Sequence, residues 1–384
     1  MALLGVFAAL TIAGCGGDSS STSGGGEQSQ SETGGNDSPA SAQKFADKWY
    51  KGSFTKPDVP PVKTVPTTED IWIVTVGQTA TSSVKSIHSV VEASNALGWK
   101  THIYDGKFEQ NEFITGMRAA IAAKADAIYV YGIDCAAITA PLEEAKAADI
   151  PTISTQAVDC DAEGGEKLFT YASTWSGKSV EQFFVTFGEA QAAWVAANEP
   201  EAKILAFVET DVRLLIRIGE GFEKGIEQYC PKCEIIEEVQ FTGAELGTKL
   251  QEKAEQVLLR EPDVTTISGS YDDPVTTAFN PALKNLGKTG QVSVIGGEGS
   301  VPNIDLVYEE GEAAGAGLDN NWEGFAAMDA IIRVLAGEDP TLGEKNGLGV
   351  QLFDKEHNLP PKGDAFSVPD IDYKAAFYKA WGLD

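Results

Sequence analysis

Residues 125–155 read ADAIYVYGIDCAAITAPLEEAKAADIPTIST, and this stretch decides the fold class. ADAIYVYG (125–132) is a short apolar run rich in β-branched and aromatic residues, the pattern of a strand covered on both faces. AITAPLEEAKAAD (137–149) repeats its apolar residues at helical spacing, and IPTIST (150–155) returns to a strand. Upstream the alternation continues. IWIVTV (71–76) and WKTHIYDG (99–106) read as strands, SSVKSIHSVVEASNALG (82–98) and NEFITGMRAAIAAK (111–124) as helices. The result is βαβαβαβ, a doubly wound α/β layer with a mainly parallel sheet.

Downstream the alternation restarts. A long helix over 176–198 leads to strand AKILAFV (202–208), helix RIGEGFEKGIEQY (217–229) and strand CEIIEEVQF (233–241). Helix 246–262, strand VTTISG (264–269), helix 273–287, strand VSVIGGEG (292–299), a short strand AAGAGL (313–318) and helix WEGFAAMDAIIRVLAG (322–337) follow. Two successive α/β halves imply two lobes, within reach of a 384-residue chain. In such sheets ligands bind beyond the carboxyl ends of the strands, so the expected site is the cleft between the lobes.

Asp and Glu number 57 against 29 Lys and Arg, a formal net charge of -28. So acidic a surface repels phosphate backbones and argues against a nucleic-acid partner. With three scattered histidines, no metal-ligand cluster, no phosphate-cradling loop and no nucleophile–base arrangement, the chain is read as a non-enzyme without metal or cofactor.

The apolar run ALLGVFAALTIA (2–13) is too short to span a bilayer but suits a signal-peptide core. Ile12-Ala13-Gly14-Cys15 resembles a bacterial lipobox, in which the leader (1–14) is removed and the Cys15 thiol receives a lipid. The absence of Lys or Arg before Lys44 departs from the usual basic start of a leader, and the true start codon could lie upstream. Residues 15–42, nearly free of apolar side chains, read as a flexible tether. The expected location is therefore extracytoplasmic, anchored to the cell membrane. The other four cysteines are an even set, as in exported proteins. Cys230-Pro-Lys-Cys233 reads as a local disulfide, and Cys135 and Cys160, each following one of two neighbouring strands, as a second.

From Ile71 to Gly337 the order of elements, with RIGEGFEKGI (217–226), SGSYDDPVTTAFNPALKNLGK (268–288) and SVIGGEGS (293–300), resembles the type-1 periplasmic-binding-protein superfamily, specifically ribose-type sugar receptors of ABC importers. The resemblance implies a monomer that closes like a jaw on a solute and passes it to a membrane permease. It implies three chain crossings between lobes, with lobe 1 at 66–173 plus 320–345 and lobe 2 at 174–319. The tail 346–384 is expected to pack near the hinge.

Carried over residue by residue, the resemblance puts Gln78, Thr79, Ser82, Ser83, Asp134 and Gln156 of the first lobe in the cleft, where the family has stacking aromatics and an Asp-Arg pair. Arg213 and Arg217 stand near the family's arginine position, which Ile218 occupies, and Phe241 holds its second-lobe aromatic. Tyr271, Asp272, Glu298 and Asp319 complete the implied set, with Trp175 and Trp322 as alternative stacking platforms. The carboxylates leave two readings open. Arg213 or Arg217 neutralises them and the solute is an ordinary sugar, or the solute itself bears an amine. A sensory receptor with the same cleft is the alternative to import. A glycosidase would need two carboxylates at defined separation and fits the receptor-type loops poorly.

Overall fold

The structure is a computed structural model that describes residues 38–383. The leader, Cys15 and the tether up to residue 37 lie outside the described residues.

Five parallel strands build the first sheet, in the order β2-β1-β3-β4-β5. They are β1 (Asp70–Thr75), β2 (Lys100–Asp105), β3 (Ala127–Tyr131), β4 (Thr152–Thr155) and β5 (Tyr171–Ala172). Helices α2 (Thr81–Ala96), α3 (Gln110–Ala123) and α4 (Thr139–Ala147) connect them. Every residue of β3 is buried, as its unbroken apolar run requires.

The second sheet has the order β11-β10-β9-β8-β6-β7. β6 (Lys203–Glu209), β7 (Glu234–Phe241), β8 (Thr266–Ser268), β9 (Ser293–Glu298) and β10 (Ala314–Gly317) are parallel, and β11 (Gln351–Asp354) joins the edge antiparallel to β10. The chain thus has the two mainly parallel α/β lobes read from its alternation.

Helices α5 (Val180–Asn198) and α6 (Arg213–Tyr229) cross at near backbone contact: a Cβ on Gly188 would stand 2.0 Å from the Ile218 carbonyl oxygen, and one on Gly221 2.0 Å from that of Val185. α7 (Thr248–Arg260) covers the far side of this sheet with α8 (Asp272–Pro274), the π-helical turn Val275–Phe279 and α9 (Asn280–Asn285), which run on without a break. The π turn has a local cause. Pro281 has no N–H to give and its ring crowds the preceding turn, so the ladder widens and the Asn280 N–H reaches back to Val275 O. α10 (Val301–Tyr308) links β9 to β10.

Three connections pass between the sheets: β5 to α5 through Trp175, β10 to α11 (Asn320–Leu335) through Asp319, and α11 to β11 through 336–350. α11 packs on α2 so closely that a Cβ on Gly324 would meet the Ser86 carbonyl oxygen at 2.3 Å. α12 (Tyr373–Ala380) lies against α11, with Trp381 stacked on Phe325 at 5.8 Å.

At the other end the tether reading, drawn to residue 42, runs into helix α1 (Pro39–Lys51). Ser38 caps it through a reciprocal bond pair with Ser41, Pro39 fits its first turn, and Ala42, Phe45, Ala46 and Trp49 are buried. Phe45 stacks on Tyr229 at 3.9 Å, and Tyr50 donates to Asp354 at 2.5 Å.

Both expected disulfides are formed. Cys135–Cys160 joins the loops after β3 and β4, and Cys230–Cys233 closes the turn between α6 and β7.

Candidate functional site

A cavity lies between the lobes, walled by residues from both. Its volume is about 80 Å³, on a measure by which one water needs ~10–15 Å³. Nearly every polar group in its wall stands just past the carboxyl end of a parallel strand. Tyr131 closes β3, Gln156 follows β4, Glu209 closes β6, Tyr271 follows β8 and Glu298 closes β9. Ser82 comes from the first turn of α2 and Asp273 from the start of α8.

Three of these strand ends carry backbone in the left-handed region without glycine: Gln156 at φ 47°, Ser270 at 58° and Glu298 at 61°. Such residues cluster where a structure holds a side chain against its local preference. At Gln156 the amide donates to Glu323 Oε2 at 3.1 Å. At Ser270 the carbonyl accepts from Gln191 Nε2 at 2.8 Å. The rest of the wall is apolar: Val76, Ala80 and Phe108 from the first lobe, and Phe184, Phe187, Val212, Leu214, Leu215, Ile218 and Leu246 from the second.

The carboxyl groups of the second lobe are perturbed upward. Burial pushes Glu209 up to about 8 against a hydrogen bond from the Tyr271 hydroxyl, with Asp211 and Asp273 adding to the rise. Burial and the neighbouring Asp272 bring Asp273 to about 7. Glu298 is held well above the ordinary carboxylate range, by burial first and then by Asp272, Asp273 and Glu323. Glu323, behind Gln156, is raised by burial to about 8. No Lys or Arg lines the cavity among the described residues.

Of the residues named from sequence, Ser82, Gln156, Tyr271 and Glu298 meet at the cavity, whereas the others stand elsewhere. Gln78 and Thr79 are exposed in the β1–α2 turn, where the Gln78 N–H donates to Asp105. The Ser83 hydroxyl is buried against Thr75 Oγ1 at 2.5 Å. Asp134 ties the lobes together, accepting from the Val158 N–H at 2.8 Å and from the Arg213 N–H at 3.3 Å. Its carboxyl is raised by burial, which the Arg213 charge opposes.

Arg217 faces the α5–α6 surface, paired with Glu181 at 2.9 Å and Glu220 at 2.7 Å. Phe241 belongs to the core under the second sheet. Trp175 is buried in the hinge, stacked on Phe183 at 4.4 Å, and Trp322 stacks on Tyr373 at 4.7 Å. Asp272 turns beneath the cavity to accept the Gly299 and Ser300 N–H groups, leaving Asp273 in the wall. Asp319 caps α11 through the Asn321 and Trp322 N–H groups. The arginine neutralisation expected for an ordinary sugar site is therefore not provided by Arg213 or Arg217, neither of which lines the cavity.

Sequence reasoning missed Glu209, Tyr131, Phe108 and Glu323. The rule that sites sit past strand ends finds the first two directly, since each closes a recognised strand. Phe184 and Phe187 carry no comparable signal, because α5 is apolar on almost every side.

Among curated proteins none matches this sequence. Solved structures of the same fold are numerous. One is an ABC-transporter solute-binding protein from Agrobacterium vitis bound with α-D-tagatopyranose (18% identity, TM-score 0.64, covering 77% of this chain and 97% of that one). A second from Agrobacterium vitis holds allitol (19%, 0.62, 76% and 96%). A third, from Thermotoga lettingae TMO, is in complex with 5-methylthioribose (14%, 0.62, 72% and 83%). These likenesses concern the fold. The profile of the periplasmic binding protein domain matches residues 63–339, and the chain, with its two parallel lobes and the cavity between them, belongs to that family.

Proposed function

We propose that this protein is the solute-capturing receptor of an ABC importer, working as a monomer at the outer face of a membrane to which a lipid on Cys15 holds it. The observation that carries this reading is the cavity, set between the strand ends of two lobes and lined by polar groups from both. The solute is small, hydroxylated and sugar-like, the class found in the structural neighbours.

In this reading Ser82, Gln156, Tyr271 and Glu298 make the polar contacts, and Phe108 and Phe184 offer faces to C–H surfaces. The lobes, 66–173 with 320–345 and 174–319, close about the three crossings and present the filled form to a permease. No bond is made or broken in the solute.

The test is ligand-dependent melting of the full chain against monosaccharides, polyols and their amino derivatives. A solute at ~100 times its Kd adds about 2.7 kcal/mol to stability. The expected result is a raised Tm for one chemical group within the panel, and a panel without any shift overturns the reading.

A further inference from the structure

The second-lobe wall of the cavity holds three carboxyl groups that the protein does not neutralise. Asp273 and Glu298 have neither a hydrogen-bond donor nor an ion-pair partner among the described residues, and Glu298 is only 9% exposed. Glu209 accepts from the Tyr271 hydroxyl and stands within hydrogen-bonding reach of the Asp211 carboxyl. Lys85 on α2 acts on Glu298 through its charge but stands outside the wall. The other charged groups facing the cluster are acidic: Asp211 behind Glu209, and Asp272 and Glu323 beside Glu298.

Two further features specify what could fill such a site. The three carboxylates do not bring their oxygens within 4.8 Å of one another, the spacing a single metal ion would require. Between and around them the wall is aromatic, with Phe108, Phe184, Phe187 and Tyr271. Spread negative charge on an aromatic and aliphatic wall fits an organic cation, whose charged nitrogen is attracted by carboxylates and ring faces alike.

We propose that the captured solute carries a positively charged nitrogen, a protonated amine or quaternary ammonium, seated against Glu209, Asp273 and Glu298. The proposal rests on the receptor reading and narrows its solute class.

A consequence follows for protons. Burial and acidic neighbours raise all three carboxyls above the ordinary carboxylate range, Glu209 to about 8 and Asp273 to about 7. A cation entering the site ionises them and expels protons to the buffer, so its affinity rises with pH. A neutral sugar does neither.

The experiment is calorimetric titration of the full chain with matched probes: 1-amino-1-deoxysorbitol, choline and putrescine against sorbitol, glucose and ribose. Binding of an amine probe at least ten-fold tighter than its neutral counterpart is expected. Its affinity should rise about ten-fold from pH 6 to pH 8, and its apparent enthalpy should change with the ionisation heat of the buffer. Glu298→Gln should cost the amine probe about ten-fold, and Asp273→Asn a comparable loss, with circular dichroism confirming that both variants fold.

Neutral probes binding as tightly as amines, without proton release, would overturn the proposal and leave the receptor reading intact. Failure of every probe to bind would sink both.

Discussion

Two clusters of charge, one on α11 of the first lobe and one at the second-lobe wall of the cavity, are handled in opposite ways. In the first, on α11, the Arg333 guanidinium is wholly buried and spent on the protein itself: it meets Asp329 at 2.7 Å, Glu338 at 3.2 Å and the Pro60 carbonyl at 2.6 Å. Trp381 supplies Asp329 with another donor at 2.9 Å. In the second, the half-buried Asp273 and the buried Glu298 line the cavity with no such partner. A completed network holds a structure together, whereas an incomplete one favours whatever completes it.

The largest expected effect is on the completed side. Arg333→Met leaves Asp329 as an unpaired buried charge, and denaturant unfolding should show a loss of about 3–5 kcal/mol. An unchanged midpoint would mean that the first-lobe network holds nothing together.

Next come the two disulfides, one per lobe. Cys135–Cys160 closes a separation of 25 residues and Cys230–Cys233 one of 3. Loop-closure entropy makes the first worth about 3 kcal/mol and the second roughly half that. Comparing the melting of Cys135→Ala/Cys160→Ala with that of Cys230→Ala/Cys233→Ala tests the ranking, and equal losses would break it.

The third effect concerns pH, and its sign is fixed. Glu209, Asp273 and Glu298 bind protons more tightly folded than unfolded, since their folded values lie above the ordinary carboxylate range. They stabilise the empty protein at acid pH, and that contribution is lost as pH rises from the unfolded carboxylate range through about 7 to 8. The Tm of the empty protein should fall over this window, and Glu209→Gln with Glu298→Gln should flatten the fall. A slope identical in the variant would assign it to general surface repulsion instead.

The smallest stability effect is expected at Phe108, which is 43% exposed at the cavity mouth. Phe108→Ala should shift stability by only about 0.5 kcal/mol while weakening solute binding several-fold. The reverse pattern would make it a core residue of the first lobe.

The same division explains what could be read beforehand. The α/β alternation was legible because strands such as β1, β3 and β6 are near-continuous apolar runs and helices such as α6 and α7 carry a 3.6-residue apolar stripe. Short or atypical pieces were not. β5 is two residues long, β11 is a four-residue antiparallel edge, and α1 follows a polar tract that masks its start at Ser38.

At the site, strand ends located the cavity, but side-chain direction was decided by competition for local partners. Asp272 and Asp319 lie where a ligand contact was expected and instead satisfy N–H groups at the start of helices or in tight turns. Arg217 lies one helical turn from Arg213 and points to the acidic side chains of α5 and α6. Spacing along a chain fixes neither choice.

Helix α1 has a mechanical consequence. It is fastened to the second lobe by the Phe45–Tyr229 stack and by Tyr50, whose hydroxyl reaches Asp354 and whose carbonyl accepts from Gln351 and Asn358. A pull on the N-terminus is therefore borne by the second lobe. Any leash attached there would hold the second lobe directly and the first only through the three connections between the sheets.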